Sequence, residues 1–268
     1  MKDKVVIITG ASSGIGKALA VEAGKMGAVV VIAARSVSKM AELEKQLKDQ
    51  KVEVLPVITD VSVEGDCKRL IDITVEKYGR IDVLISNAGI SMRATFEQTD
   101  LSVIRHLMDV NFWGAVYCTK YALPYLLKSK GSVTGVSSVA GFKGLPGRTG
   151  YSASKFAMQG FLETLRIENR NKGLHVLIAC PGFTSSNIRN TALAADGSQQ
   201  GESPMDENKL MQPDEVARRI LLAIKKRKRV VVMTVLGWWT VTVNKIIPGF
   251  VDKMVFKHFA NEPDSPLK

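Results

Sequence analysis

Thr9-Gly10-Ala11-Ser12-Ser13-Gly14-Ile15-Gly16 is a glycine-rich turn with an apolar run before it and a helical pattern after it. The run before it, Val5–Thr9, is short and rich in β-branched residues and stops at Gly10, which predicts a buried strand. Gly14–Gly27 follows with helical spacing. A chain that passes from strand to helix through such a turn needs glycine, because its backbone must reverse sharply. The same glycines let the main chain approach a pyrophosphate, and the start of the helix offers free N–H groups and a positive dipole end. Gly10, Ser12, Ser13, Gly14, Ile15 and Gly16 are therefore the expected phosphate cradle of a dinucleotide.

Outward from this turn, strand and helix patterns alternate. Ala28–Ala33 reads as a strand, and Ser36 caps a charged helix, Val37–Asp49. Val52–Ile58 and Asp82–Ser86 read as strands around a helix at Val63–Tyr78. Leu101–Lys128, with a break at its start left open, and Tyr151–Asn171 are long helical stretches, with a strand, Ser132–Ser137, between them. Val176–Ala179, Pro213–Lys226 and Arg229–Thr234 complete the pattern as strand, amphipathic helix and strand. The expectation is α/β: one domain over residues 1–234 with a doubly wound, parallel, seven-stranded sheet. The long polar loop 184–212 reads as a lid, and residues 235–268 as a basic amphipathic extension.

The 268 residues carry a formal charge of +11, unevenly spread. Residues 218–268 hold eleven Lys and Arg against three acids. Such a tail suits an anionic membrane surface, nucleic acid or plain solubility. No helix-turn-helix or RNA-binding signature accompanies it, so no nucleic-acid partner is expected. Cys67, Cys118 and Cys180 are too few and too irregular for a disulfide framework or a metal site, which fits core thiols in a reducing cytoplasm. The first strand begins almost at Met1, which leaves no room for a signal peptide, and no run reaches the roughly 20 apolar residues of a membrane span.

Arg35 and Ser36 end the second strand with no acid beside them. In dinucleotide folds an acid at that place binds a ribose 2′-hydroxyl, whereas an arginine accommodates a 2′-phosphate, so NADP(H) is expected over NAD(H). Asp60 and Val61, after the third strand, are placed to meet the adenine edge. Tyr151 and Lys155 stand one helical turn apart, on one face. Reduction of a carbonyl builds charge on oxygen, so a proton donor must stand beside it. An ammonium near a phenol favours the phenolate and eases that exchange. Ser138, at the carboxyl end of a strand, can donate a hydrogen bond to the same oxygen.

In this order the motifs resemble the short-chain dehydrogenase/reductase family, over about residues 3–234. Thr9–Gly16 matches its T-G-x-x-x-G-x-G. Ser86-Asn87-Ala88-Gly89 matches its N-N-A-G with Ser in the first place. Ser137-Ser138-Val139-Ala140-Gly141 carries the serine, Tyr151/Lys155 match Y-x-A-S-K, and Pro181-Gly182 matches its P-G. The resemblance implies a Rossmann fold and an oxidoreductase that moves hydride between a nicotinamide and a carbonyl or alcohol carbon. It implies Tyr151 as general acid/base, Ser138 as carbonyl polariser, Lys155 as holder of the nicotinamide ribose, and Asn111 as holder of a water that links Lys155 to solvent. Asn87, Ala88 and Gly89 would line the adenosine side, and Pro181, Gly182 and Thr184 the nicotinamide, although Phe183-Thr184-Ser185 departs from the usual P-G-x-x-x-T. Association into a homodimer or homotetramer through the two long helices is implied as well.

The segments that form family substrate pockets hold mainly apolar residues here, which suits a hydrophobic or lipid-like carbonyl compound. Met92, Phe142 and Phe183 are the expected substrate contacts beside Ser138 and Tyr151, while Arg93, Lys143 and Arg148 read as solvated charges. Within 225–259, aromatic and basic residues interleave, which leaves open a peripheral membrane contact, a subunit contact or a lid. A non-enzymatic NADP(H) sensor on the same fold is the rival reading; the intact Ser138, Tyr151 and Lys155 set argues against it, since a sensor needs no proton donor.

Overall fold

The computed structural model of the chain describes residues 1–201, 210–262 and 265–268. Seven parallel strands form one sheet in the order β3-β2-β1-β4-β5-β6-β7. They are β1 Val5–Thr9, β2 Val29–Ala34, β3 Val54–Ile58, β4 Val83–Ser86, β5 Ser132–Val136, β6 His175–Cys180 and β7 Val230–Val232. Alternation along each strand divides the core in two. Val6, Ile8, Val30 and Ile32 face α1 (Gly14–Lys25), α2 (Val37–Asp49) and α7 (Pro213–Lys225), whereas Val5, Ile7, Val31 and Leu84 face α3 (Glu64–Tyr78), α5 (Gly114–Lys128) and α6 (Thr149–Glu168). Burial on both faces explains why these strands read as unbroken apolar runs.

Strand order reverses between β1 and β4, so the loops that follow these two strands part and leave a crevice at the carboxyl edge of the sheet. Pro56 lies inside β3, which pairs only with β2, so its missing N–H costs no ladder bond. The helical stretch from Leu101, expected with a break near its start left open, is three segments: α4 (Leu101–Met108), a π-helical turn at Asp109–Trp113, and α5. That turn carries Asn111, and such turns often mark functional positions.

Beyond β7 the chain forms α8 (Val235–Asn244) and α9 (Pro248–Ala260), which pack together as a helical hairpin. Thr234 caps α8 by accepting from the Gly237 N–H. Val251, Val255 and Phe259, one turn apart on α9, form the buried seam. The basic cluster 225–229 does not belong to this hairpin. It precedes β7, where Arg227 donates to the Gly173 and Lys130 carbonyls and the Lys228 carbonyl meets His175, all at the amino ends of strands. Of the expected lid 184–212, residues 202–209 lie outside the described residues.

Candidate active site

A cavity of about 1230 Å³ follows the carboxyl edge of the sheet. Its floor begins at the glycine turn. Gly10 and Gly14 have φ of +65° and +50°, conformations that side-chain-bearing residues rarely adopt. A Cβ on Gly16 would overlap the Gly10 carbonyl oxygen. Asn87 ties this turn to the end of β4: its Nδ2 donates to the Thr9 carbonyl at 2.9 Å, and the Asn87 and Ala88 N–H groups each donate to the Thr9 hydroxyl at 3.1 Å. At its glycines the turn thus presents bare backbone to whatever binds there. Ser12, Ser13, Gly14, Ile15, Ala88 and Gly89 line the cavity around it.

Arg35, Ser36, Asp60 and Val61 line the adjoining end, and Lys39, which the sequence reading did not single out, joins them. Ser36 Oγ accepts the Lys39 N–H and caps α2. Arg35 is two-thirds exposed and stands 3.8 Å from Asp60. Burial works to raise the Asp60 carboxyl, but the Ser62 hydroxyl and amide and the Arg35 charge outweigh it and hold Asp60 below the usual carboxylate range. Two cations at a rim beside a backbone cradle form a donor set suited to a phosphorylated ribose. The sequence and the cavity thus fit a dinucleotide whose pyrophosphate meets the glycine turn.

Tyr151 and Lys155 project from α6 into the middle of the cavity, beside Ser138. The Lys155 Nζ donates to the Val136 carbonyl at 2.9 Å and lies 5.7 Å from the Tyr151 ring centroid. Burial pushes Lys155 down to about 8, partly offset by Cys180. The phenol departs from the expected lowering. Burial raises Tyr151 above its ordinary value, and the hydrogen bond from Ser138 and the charge of Arg148 only partly oppose this. Lys155 is committed to the Val136 carbonyl, and the cation that acts on the phenol is Arg148, three residues before it in sequence and in the cavity wall. Its signal, a cation three residues before a tyrosine at a helix start, is too common to stand out.

Asn111 is fully buried and does not reach the cavity. Its Oδ1 accepts the Ile90 N–H at 2.8 Å, and its Nδ2 donates to the Ile90 carbonyl and to Ser154 Oγ, both at 2.9 Å. Both amide hydrogens are spent, so toward a water it is an acceptor only. It braces the segment after Gly89 against α6. Pro181, Gly182 and Thr184 line the cavity, with the Thr184 hydroxyl turned back to the Gly182 carbonyl at 3.1 Å.

Among the expected substrate contacts, Phe183 lines the cavity and stacks on His258, with centroids 6.2 Å apart. Met92 and Phe142 do not line it. Met92 is fully buried under the Gly150 N–H, which donates to its sulfur at 3.3 Å, and packs with Val103 and Leu107; Phe142 packs against the sheet core. Their places are taken by Leu145 and by Leu236, Met254, Val255 and Phe259 of the hairpin. Arg93 and Arg148, expected in solvent, are in the cavity wall as well. Arg93 is paired with Glu262 at 3.5 Å, and burial lowers Arg148 to about 10 against the opposing pull of Glu262. Lys143 is also buried, tied to Asp252.

Residues 4–196 match the family model described as short chain dehydrogenase. The chain is 33% identical over 97% of its length to 11-beta-hydroxysteroid dehydrogenase A of Sesamum indicum and spans 78% of that protein; it spans 58% of the Arachis hypogaea protein of the same name, at 43% identity. Its fold is similar to that of an alcohol dehydrogenase from Thermococcus sibiricus, solved with 5-hydroxy-NADP, at 26% identity and a TM-score of 0.76, covering 87% of this chain and 96% of that one. A short chain dehydrogenase/reductase of Burkholderia phymatum solved with NAD aligns at 24% identity and a TM-score of 0.83, covering 93% and 95% of the two chains, and so bears on the fold. The chain belongs to the short-chain dehydrogenase family, and is an oxidoreductase of the kind that interconverts an alcohol and a carbonyl.

Proposed function

We propose that the protein is an NADP(H)-dependent oxidoreductase whose substrate is an apolar, lipid-like ketone, aldehyde or secondary alcohol. The observation that carries this is one continuous cavity with two unlike ends. One is a backbone cradle with Arg35 and Lys39 at its rim; the other is walled by Leu145, Phe183, Leu236, Met254 and Phe259; Tyr151, Ser138 and Lys155 stand between them. The absence of an acid after β2 favours a 2′-phosphate. Relatives that carry hydroxysteroid dehydrogenase names favour a large apolar substrate, and an apolar wall suits one.

When bound, the nicotinamide supplies or accepts the hydride at the reacting carbon. The residues of this chain handle the oxygen. Ser138 donates a hydrogen bond to it, and the Tyr151 hydroxyl gives it a proton as negative charge develops. A phenol held above its ordinary value by burial arrives protonated, as a donor must. The Lys155 ammonium holds the ribose hydroxyls, and the charge of Arg148 stabilises the phenolate that remains. Asn111 is a positioning residue that fixes Ile90 to α6. The sensor reading has no observation in its favour.

Self-association belongs to the same reading: Trp113, Phe156 and Ile167 are exposed along the long helices, as a subunit contact there would need. Contact of the C-terminal region with a membrane surface belongs to it too. The test is consumption of NADPH against NADH with a panel of apolar ketones and aldehydes. Turnover with NADPH, a much higher KM for NADH, and a loss of about 10³-fold in kcat for Tyr151→Phe with NADPH binding intact are expected. Equal use of both nicotinamides would remove the cofactor assignment, and an active Tyr151→Phe protein the role given to Tyr151.

A further inference from the structure

Phe183, Leu236 and Met254 belong to two surfaces at once. They line the cavity, and they are 36%, 58% and 39% exposed. The cavity mouth is therefore continuous with the outer face of the α8–α9 hairpin. That face is unusually apolar. Val235, Trp238 and Trp239 of α8, Ile246 and Ile247 of the connection, and Phe250 and Phe256 of α9 are each more than half exposed. Helical geometry makes this a face and not a scatter: on α9 the buried Val251, Val255 and Phe259 lie one turn apart, and Phe250, Lys253 and Lys257 lie on the opposite side. α8 holds no charged residue at all. Monomeric proteins rarely gather so many exposed large apolar side chains on one short segment.

Two occupants suit such a face, a second copy of the chain or a lipid surface, and the composition selects between them. Lys245, Lys253 and Lys257 are exposed among the aromatic residues, while Asp252 is committed to Lys143. A two-fold contact would bury these ammonium groups against their own copies, and lysine is depleted from protein interfaces. At a bilayer the long stems lie along the apolar layer and the ammonium groups reach the phosphates. Tryptophan pairs such as Trp238 and Trp239, with rings edge to face at 5.6 Å, suit the same depth.

We propose that the α8–α9 hairpin seats the protein on an anionic lipid bilayer, with the cavity mouth turned to the acyl layer, so that the apolar substrate enters from the membrane. The basic cluster 225–229 takes no part, being at the other end of the sheet. The seating stands independently of the chemistry; the substrate route rests on the reading of the cavity as an apolar carbonyl site.

The test is flotation with vesicles of phosphatidylcholine, with and without phosphatidylglycerol, of the wild type and a Trp239→Glu/Ile246→Glu/Phe250→Glu variant. None of these three residues lines the cavity. The wild type should float with the anionic vesicles, less with neutral ones and less in high salt. The variant should partition at least about tenfold more weakly while turning over a small water-soluble ketone at the wild-type rate, which also shows that it folds. A wild type that stays unbound, or a variant that floats as well, overturns the seating. So does a wild-type dimer that the variant converts to monomers without any vesicle binding. Turnover of a ketone dissolved in the vesicles should fall about tenfold in the variant. Equal rates there overturn the route alone. If neither protein turns over any ketone, the failure belongs to the oxidoreductase reading, and flotation still decides the seating.

Discussion

At the glycine-turn end the cavity wall is main chain. Gly10, Gly14 and Gly16 sit where a side chain would strain the backbone or collide with it, and Asn87 and Thr9 tie the turn to the ends of β1 and β4. At the hairpin end the wall is side chains on a late addition to the fold. α8 and α9 are held by one seam of Val251, Val255 and Phe259, by the Thr234 cap, and by polar ties: Lys143 to Asp252, Asn244 to the Phe142 carbonyl, and Arg93 to Glu262. A wall of backbone tolerates one geometry. A wall of apolar side chains tolerates many, and can be tuned to a substrate without disturbing the other end.

Substitutions should therefore act unequally at the two ends. The largest effect belongs to Gly16→Ala. The new methyl cannot be seated without moving the Gly10 carbonyl, so the turn must open. We expect a stability loss of about 2–3 kcal/mol and NADPH binding reduced below detection, read by thermal unfolding and fluorescence titration. Binding retained at wild-type affinity would show that the turn is looser than its contacts imply.

Second comes Glu262→Gln. Removal of the charge leaves Arg93 and Arg148 to be buried with less compensation, at a cost of roughly 2–3 kcal/mol. The loss should be local. Amide exchange should rise in α9 and not in β1–β6, and KM for an apolar ketone should increase with kcat little changed. Global unfolding at a uniformly lower temperature, with no local exchange, would mean that the hairpin is part of the main cooperative unit and that the two ends of the cavity are not independent.

The same asymmetry explains what could be read from the sequence. The turn, the alternation of strands and helices and the Tyr151–Lys155 pair were legible because each is fixed by local pattern: glycine in a tight turn, short β-branched apolar runs, and a one-turn spacing. The hairpin end was not. Met92 and Phe142 sit in the expected segments, yet apolar residues there serve core and cavity equally well, and only packing decides. Arg93 and Arg148 were read as solvated because nothing near them in sequence pairs with them; Glu262 arrives from more than a hundred residues away. The π-helical turn at Asp109–Trp113 had no signature beyond an ordinary helical pattern.

The seam between the two ends is Lys155, and it gives the smallest effect. Its ammonium is buried against the Val136 carbonyl and depressed to about 8 from an ordinary value of 10.5, with burial as the cause. A lysine lowered on folding binds fewer protons folded than unfolded between those two values. Below pH 8 the folded protein bears the full cost of a buried charge; as pH rises from 8 toward 10.5 the folded group is neutral while the unfolded one is still charged, so stability gains. In Lys155→Met this contribution is absent at every pH. The unliganded variant's stability relative to wild type should therefore be greatest below pH 8 and should decline as pH rises to about 10, by an amount on the order of 1 kcal/mol after allowance for relaxation around a buried charge. In the difference between the two proteins Cys118 and Tyr151, raised by their surroundings and losing stability over the same alkaline range, cancel, whereas Cys180, which Lys155 pulls down, is raised further in the variant and adds to the decline. A difference that does not vary with pH would mean that Lys155 keeps its ordinary value, so that the glycine-turn side of the cavity is wetter than its packing shows.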